Sequence, residues 1–212
     1  MSKRLRGAPG VQMVEFGVII LAGGDGARIG GRKAERFLAG KRLIDHVSAL
    51  VNGLQVPAVI NVRQRGQVGK TCLPEITDHP AAEGPLAGLL AGMDWALANN
   101  LAGFVTYPCD SPFLPCDLFL RLVAAVRETD CPAVAAQQGV SYPASAAWPS
   151  TCQGTLRKYA LEGRRSLHGA LERCRAVQVE WSPDLSAEFM NINTMEDLLT
   201  AEHVVQYGTC RT

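Results

Sequence analysis

The chain has 212 residues, 47% of them hydrophobic and 19% charged, and a formal net charge of +1. These totals are those of an ordinary globular protein, and one domain with a sizeable core is the expectation. Charge so near balance gives no electrostatic basis for bulk binding of nucleic acid or a membrane surface, and no apolar run approaches the ~18 residues of a membrane span.

The opening "MSKRLRGAPGVQM" is basic but has no apolar stretch behind its charges, so it does not read as a secretory signal. Residues 1–12 are expected to be a flexible extension, with Met13 an equally sensible start, and residues 13–212 a single domain. "FGVIILAG" (16–23) reads as a buried strand. "RLIDHVSALVNGL" has apolar residues at 43, 44, 47, 50, 51 and 54, which is helical spacing. "PAVINV" (57–62) is strand-like, and "RQRGQVGKT" (63–71) reads as a surface loop, followed by "CLPEI" with a proline and no amphipathic helix. "PLAGLLAGMDWALANN" (85–100) is helical, with Pro85 suited to a first turn. "AGFVTYPCD" (102–110) is a strand ending in an acid, "CDLFLRLVAAVRE" (116–128) a helix and "CPAVAAQ" (131–137) a strand. A strand over 144–148, helices over 151–162 and 166–174, a strand "AVQVEW" (176–181) and a closing helix "TMEDLLTAEHVVQYG" follow. Thr194 and Asp197 stand at the spacing of a capping box for that last helix.

This alternation predicts an α/β protein: a three-layer, Rossmann-like fold with a mainly parallel central sheet. The seven cysteines are odd in number, include no C-x-x-C and have no zinc-like spacing, so free thiols in a cytoplasmic protein are expected.

Two stretches at strand ends, where open α/β sheets bind their ligands, carry chemistry. "LAGGDGARIGGRK" (21–33) places five glycines, two arginines and a lysine after the first strand. Glycines let backbone N–H groups approach a phosphate, and Arg and Lys neutralise it; a tight strand–helix turn with solvated charges has the same composition. A dinucleotide fingerprint fails, because it needs glycine where Ile29 or Arg28 stands. A phosphate loop ending in Gly69-Lys70-Thr71 fails at Gln64. "PCDSPFLP" places Asp110 between Pro108 and Pro112 in a stiff turn. One such carboxylate either caps a helix or, opposite a basic loop, is a ligand for Mg²⁺, which typically takes one or two carboxylates plus phosphates and water. The histidines 46, 79, 168 and 203 are scattered and assemble no acid–base set.

Four segments in order, "LAGGDGARIGGRK…LAGKRLIDHV", "EGPLAGLLAGM", "PCDSPFLP" and "NINTMEDL", resemble the signatures of the molybdenum cofactor guanylyltransferases (MobA-type), within the wider nucleotidyltransferases. The similarity spans about residues 14–205. It implies transfer of GMP from GTP to molybdopterin or molybdenum cofactor with Mg²⁺ and release of pyrophosphate, by a monomer that meets molybdenum-insertion and apo-molybdoenzyme partners. Carried over residue by residue, Leu21, Ala22, Gly23 and Gly24 lie along the nucleotide, with Asn61, Asp78 and the helix start Gly84, Pro85 and Leu86. Arg28 and Lys33 hold the triphosphate, and Asp110 binds the metal. Asn191, Asn193, Arg164 and Arg165 are candidates for the pterin phosphate or the metal's surroundings. The chain departs from the pattern in placing Lys33 one residue early, Glu35 close behind it, and Met195 where the signature has proline.

Two other readings compete. One is a relative of the same fold using another nucleotide, either a molybdopterin cytidylyltransferase or a sugar-phosphate nucleotidyltransferase. The other is a non-catalytic protein that delivers the pterin, against which Arg28, Lys33 and Asp110 together argue.

Overall fold

β1 (Phe16–Leu21) is buried on both faces, which fits a strand at the centre of a parallel sheet. A computed structural model describes residues 16–24, 33–182 and 187–207; the extension expected over 1–12 and Arg28 lie outside the described residues. β1 is followed by a 3₁₀ turn (Lys33–Glu35) and a small hairpin, β2 (Phe37–Leu38) and β3 (Lys41–Arg42). Ala39 and Gly40 both have positive φ, at 48° and 78°, as a tight two-residue hairpin turn requires.

The remaining elements are α1 (Leu43–Gly53), β4 (Ala58–Val62), β5 (Glu75–Thr77), α2 (Pro85–Ala98), β6 (Gly103–Pro108) and α3 (Leu118–Thr129). Then come β7 (Ala133–Gln137), β8 (Val140–Pro149), a 3₁₀ turn (Ser150–Cys152), α4 (Gln153–Leu161), α5 (Leu167–Arg173), β9 (Val177–Trp181) and α6 (Met195–Tyr207). The seven-stranded sheet runs β5-β4-β1-β6-β8-β7-β9. Only β8 is antiparallel to its neighbours, so the expected mainly parallel sheet is what the chain forms.

Alternation along β1 builds the three layers. Val18 and Ile20 face α1 and α3, packing with Ile44, Val47, Leu118 and Leu122. Ile19 faces α2, α4 and α5, with Leu89, Met93, Trp148, Leu156 and Leu171. α6 covers the small hairpin through Leu38, Leu43, Leu198 and Ala201. The predicted capping box forms: Asp197 N–H donates to Thr194 Oγ1 (3.1 Å), and Asp197 Oδ2 accepts from Thr194 N–H and Asn193 N–H, both at 2.8 Å.

Three elements differ from expectation. β5 was not expected and follows the stretch read as loop; it is a short edge strand opening directly after Pro74, where proline's missing N–H is harmless. β8 begins at Val140 rather than 144, and Pro143 falls where the β7–β8 register shifts, between its pairings at Ser141 and Ala146. The hairpin β2–β3 was too short to leave a periodic signal. No helix among the described residues is long and apolar enough to cross a membrane.

Candidate active site

The chain leaves β1 through α1 to β4 on one side, and returns from β5 through α2 to β6 on the other. β1 is therefore a topological switch point, with a crevice at its carboxyl end. The ladder continues one step past the strand: Ala22 N–H donates to Asn61 O (2.9 Å), and Cys109 N–H donates to Leu21 O (3.1 Å). Gly23 and Gly24 then leave the sheet into the crevice.

On the α2 side of this exit is a depression of about 220 Å³. Leu21, Gly23, Gly24, Asn61, Asp78, Gly84 and Pro85 all line it, so the structure brings together most of the residues expected at a nucleotide. Its walls are mainly apolar, with Pro108, Ala144 and Leu167 completing them. Its polar side chains are Asn61, which is 2% exposed, Asp78 and Arg63. Burial raises the Asp78 carboxyl above the ordinary carboxylate range, against the opposing effects of the Asn61 amide and the Arg63 guanidinium. Leu86 does not join this wall. Its side chain is fully buried in the core and its N–H donates to Arg165 O at 3.3 Å.

Past Gly24, Lys33, Asp110 and Asn193 converge. The Lys33 ammonium donates to Asp110 Oδ2 and to Asn193 Oδ1, the latter at 2.6 Å. Lys33 comes from the 3₁₀ turn, Asp110 from the turn after β6, and Asn193 from the segment entering α6. Two contacts fix these segments: Ile192 N–H donates to Asp110 O (2.9 Å), and Asp197 holds the Asn193 N–H. Burial pulls the Asp197 carboxyl up, but donation from Asn193 and Thr194 outweighs it and leaves the group below its ordinary range. Asn191 is turned differently and accepts from the buried Ser111 hydroxyl.

Arg164 and Arg165 sit elsewhere, around a separate depression of about 250 Å³ with Pro80 and Glu83. Arg165 pairs with Glu83 at 2.8 Å and is not in the Lys33 cluster. His79 faces Asp94 of α2 at 3.3 Å, a structural role. Cys109, next to Asp110, is buried and its thiol is pushed up to about 12, so it offers no nucleophile. Among the described residues no three His, Cys, Asp or Glu side chains come together as a metal cluster. The oxygen donors facing the Lys33 ammonium are one carboxylate and one amide.

The residues that sequence reasoning missed are in the segment 63–68. With Gly24, Ala22, Lys33 and Ala34 it encloses the largest of these depressions, about 520 Å³. The signal that could have found them is the one that found Asp110: they follow directly on a buried parallel strand.

Residues 18–177 match the family described as MobA-like NTP transferase domain. The chain belongs to this family. Among its relatives, the molybdenum cofactor guanylyltransferase of Acidiphilium cryptum (strain JF-5) is 39% identical over 192 residues, 87% of this chain and 92% of that protein. The molybdenum cofactor guanylyltransferase of Bradyrhizobium sp. (strain ORS 278) is 35% identical over 196 residues, 88% of this chain and 91% of that protein. The crystal structure of molybdopterin-guanine dinucleotide biosynthesis protein A from Archaeoglobus fulgidus superposes with a TM-score of 0.74 at 26% identity, covering 90% of this chain and 98% of that one. A 4-diphosphocytidyl-2C-methyl-D-erythritolsynthase from Anaerococcus prevotii DSM 20548 shares the fold, with a TM-score of 0.70 at 14% identity over 91% of this chain and 96% of that one. The crevice of this MobA-like NTP transferase domain has an apolar depression of about 220 Å³ on one side and the Lys33–Asp110–Asn193 cluster on the other.

Proposed function

We propose that the protein transfers GMP from GTP to the terminal phosphate of molybdopterin or molybdenum cofactor and releases pyrophosphate. The observation that carries this reading is the Lys33–Asp110–Asn193 cluster beside the depression formed by Leu21, Gly23, Asn61 and Asp78. The names of its relatives supply the acceptor and the nucleotide.

The base and ribose lie in the depression over β1 and β4, with the Asn61 amide and the Asp78 carboxylate as the groups able to hydrogen-bond a base edge. The phosphates cross Gly23 and Gly24 toward Lys33. An oxygen of the acceptor's phosphate forms the new bond to the α-phosphorus, the α–β bridging P–O bond breaks, and pyrophosphate leaves with that oxygen. The attacking group is already an anion, so the chain needs no strong general base, and its described residues offer none at this point. Catalysis is then orientation plus neutralisation of phosphate charge.

Lys33 supplies a cation at the reacting phosphates. The Asp110 carboxylate and the Asn193 amide oxygen, which the Lys33 ammonium now bridges, are hard oxygen donors of the kind Mg²⁺ takes. The ammonium itself marks this as a place where a cation is stable, and Asp110 with Asn193 would hold the metal there. Bound Mg²⁺ supplies charge neutralisation of the phosphate oxygens. Arg28, outside the described residues, is proposed as a further triphosphate ligand.

The test is pyrophosphate release with molybdenum cofactor and Mg²⁺, comparing GTP, CTP and ATP. Release with GTP in strong preference to CTP and ATP is the expected result. Release with CTP would move the chain to the cytidylyl branch, and absence of release with all three would overturn the transferase reading.

A further inference from the structure

Apart from Arg63, which also borders the nucleoside depression, the segment 63–68 belongs to neither that depression nor the Lys33–Asp110–Asn193 cluster, yet it walls the space next to both. We propose that this loop receives the pyrophosphate end of the nucleotide: Arg63 and Arg65 take the β- and γ-phosphates, and Gln67 is the positioning residue that holds the loop in place. The inference rests on the nucleotidyltransferase reading and adds phosphate ligands to it.

Placement comes first. Gly24 and Arg63 line both the 220 Å³ depression and the 520 Å³ one, so they form the ridge between the two. For a nucleotide with its base on one side of this ridge and its α-phosphate near Lys33, the larger space, which Lys33 also lines, has room for the remaining phosphates. The charged side chains found there among the described residues are Lys33, Arg63 and Arg65, all cationic. Glu35, which the sequence placed near the triphosphate, is aimed elsewhere. Its Oε1 lies against Gly69 beside the Arg42 guanidinium, 3.2 Å from where a Gly69 Cβ would stand.

The loop is also built to keep its shape. Gln67 Nε2 donates to Ala22 O at 3.2 Å, tying the loop to the end of β1. Gln67 Oε1 accepts from Arg63 N–H at 2.9 Å and from Gln64 N–H at 3.4 Å. Gly66 N–H donates to Glu75 Oε2 at 2.7 Å on the neighbouring strand β5. Arg42, itself bidentate to Asp45, donates to Val68 O and Lys70 O, both at 2.8 Å. The Val68 side chain is fully buried in the core. A loop fixed at this many points binds without ordering itself first.

The same bonds decide how it can bind an anion. The N–H groups of Arg63, Gln64, Gly66, Gln67 and Gly69 are all spent inside the protein. With these five donors used, the loop does not offer phosphate the run of backbone N–H groups that a phosphate loop does, despite the Gly-Lys-Thr at its end. Recognition falls to the guanidinium groups, whose planar donor forks suit phosphate oxygens.

The experiment is calorimetric binding of GTP, GMP and inorganic pyrophosphate with Mg²⁺ to the full chain and to R65A, R63A and Q67A. A lost charge-assisted contact weakens binding by about tenfold or more. R65A is expected to lose about that much for GTP and pyrophosphate and to leave GMP within about twofold, with R65K recovering part of the loss. Q67A is expected to lower the ratio of GTP to GMP affinity in the same sense; a merely structural loss would lower both affinities together. R63A should weaken GTP more than GMP. A GTP-to-GMP ratio unchanged in all three variants, a loss shared equally by GMP, or a wild-type chain that binds triphosphates no better than monophosphates would each overturn the proposal. The guanine reading is tested separately, by repeating the wild-type titration with CTP and ATP: a preference for either would sink that reading while the triphosphate-to-monophosphate ratio still decides this one.

Discussion

Asp78 shows how a residue proposed to bind can be poorly placed for stability. The cleft takes water from its carboxylate, and the Asn61 amide and Arg63 only partly compensate, so the folded carboxyl titrates above its ordinary range. The native state therefore holds this proton more tightly than the unfolded chain does. Stability falls as pH rises through the window between the two values and stays reduced above it. Asp78→Asn removes the half-buried charge and keeps the shape, and the backbone bond from Asp78 N–H to Val62 O at 3.0 Å is untouched. The variant should melt at a higher temperature than the parent at neutral pH. The difference should vanish below the ordinary carboxylate pKa of about 4. If Asp78 hydrogen-bonds the base, the same variant should bind GTP at least about tenfold more weakly. Melting curves across pH and one titration check both halves, and an unchanged melting temperature at pH 7 would contradict the account of the charge.

At the scale of an element, α2 joins packing to the site. It approaches the sheet so closely that a Cβ at Gly88 would stand 2.3 Å from Asn61 Oδ1, and one at Gly92 would stand 2.1 Å from Ile19 Cδ1. Asn61 is buried at the floor of the depression and has little room to retreat. Gly88→Ala should therefore destabilise by about 1–3 kcal/mol through overpacking, offset by about 1 kcal/mol of helix propensity. It should also weaken nucleotide binding by displacing the Asn61 amide. Gly154→Ala on α4, where a Cβ meets nothing within 4 Å, is the control and should stabilise by up to about 1 kcal/mol. Urea denaturation of both variants distinguishes close approach from propensity. The sequence made α2 legible through Pro85 and its apolar run, because a first-turn proline and a long apolar segment are local signals. It did not make legible why Gly88 is small, since that depends on Asn61, 27 positions earlier in the chain. β5 and the start of β8 escaped for a related reason: prolines at 74 and 143 argue locally against a strand, and only edge position or a register shift makes them acceptable.

The site belongs to the whole molecule. Lys33 lies 77 residues from Asp110 and 160 from Asn193, and the sheet, the 3₁₀ turn and the capped start of α6 bring the three together. Lys33 and Asp110 were legible singly, as a basic residue after a glycine-rich strand end and an acid after a buried strand, and Asn193 only through the resemblance of its segment to the family's signature. Their mutual bonding was not, because nothing local records it. That bonding couples the segments energetically. The Lys33 and Asp110 side chains are only 13% and 15% exposed, so removing one leaves the other largely desolvated without its partner. Lys33→Met should be the worse single change, because it strands the Asp110 carboxylate beside the Asn193 carbonyl oxygen. Asp110→Asn still leaves amide oxygens for the ammonium to donate to. The double variant should cost less than the sum of the singles, with a coupling of about 0.5–3 kcal/mol. Urea denaturation of the four chains without nucleotide measures it, and additivity within about 0.5 kcal/mol would show that the three segments are held by something else. Transfer activity should not follow stability. The double variant regains part of the fold's stability but has neither the cation nor the carboxylate proposed to hold the metal, so it should be no more active than the worse single. That divergence is what separates a cluster kept for chemistry from one kept for the fold.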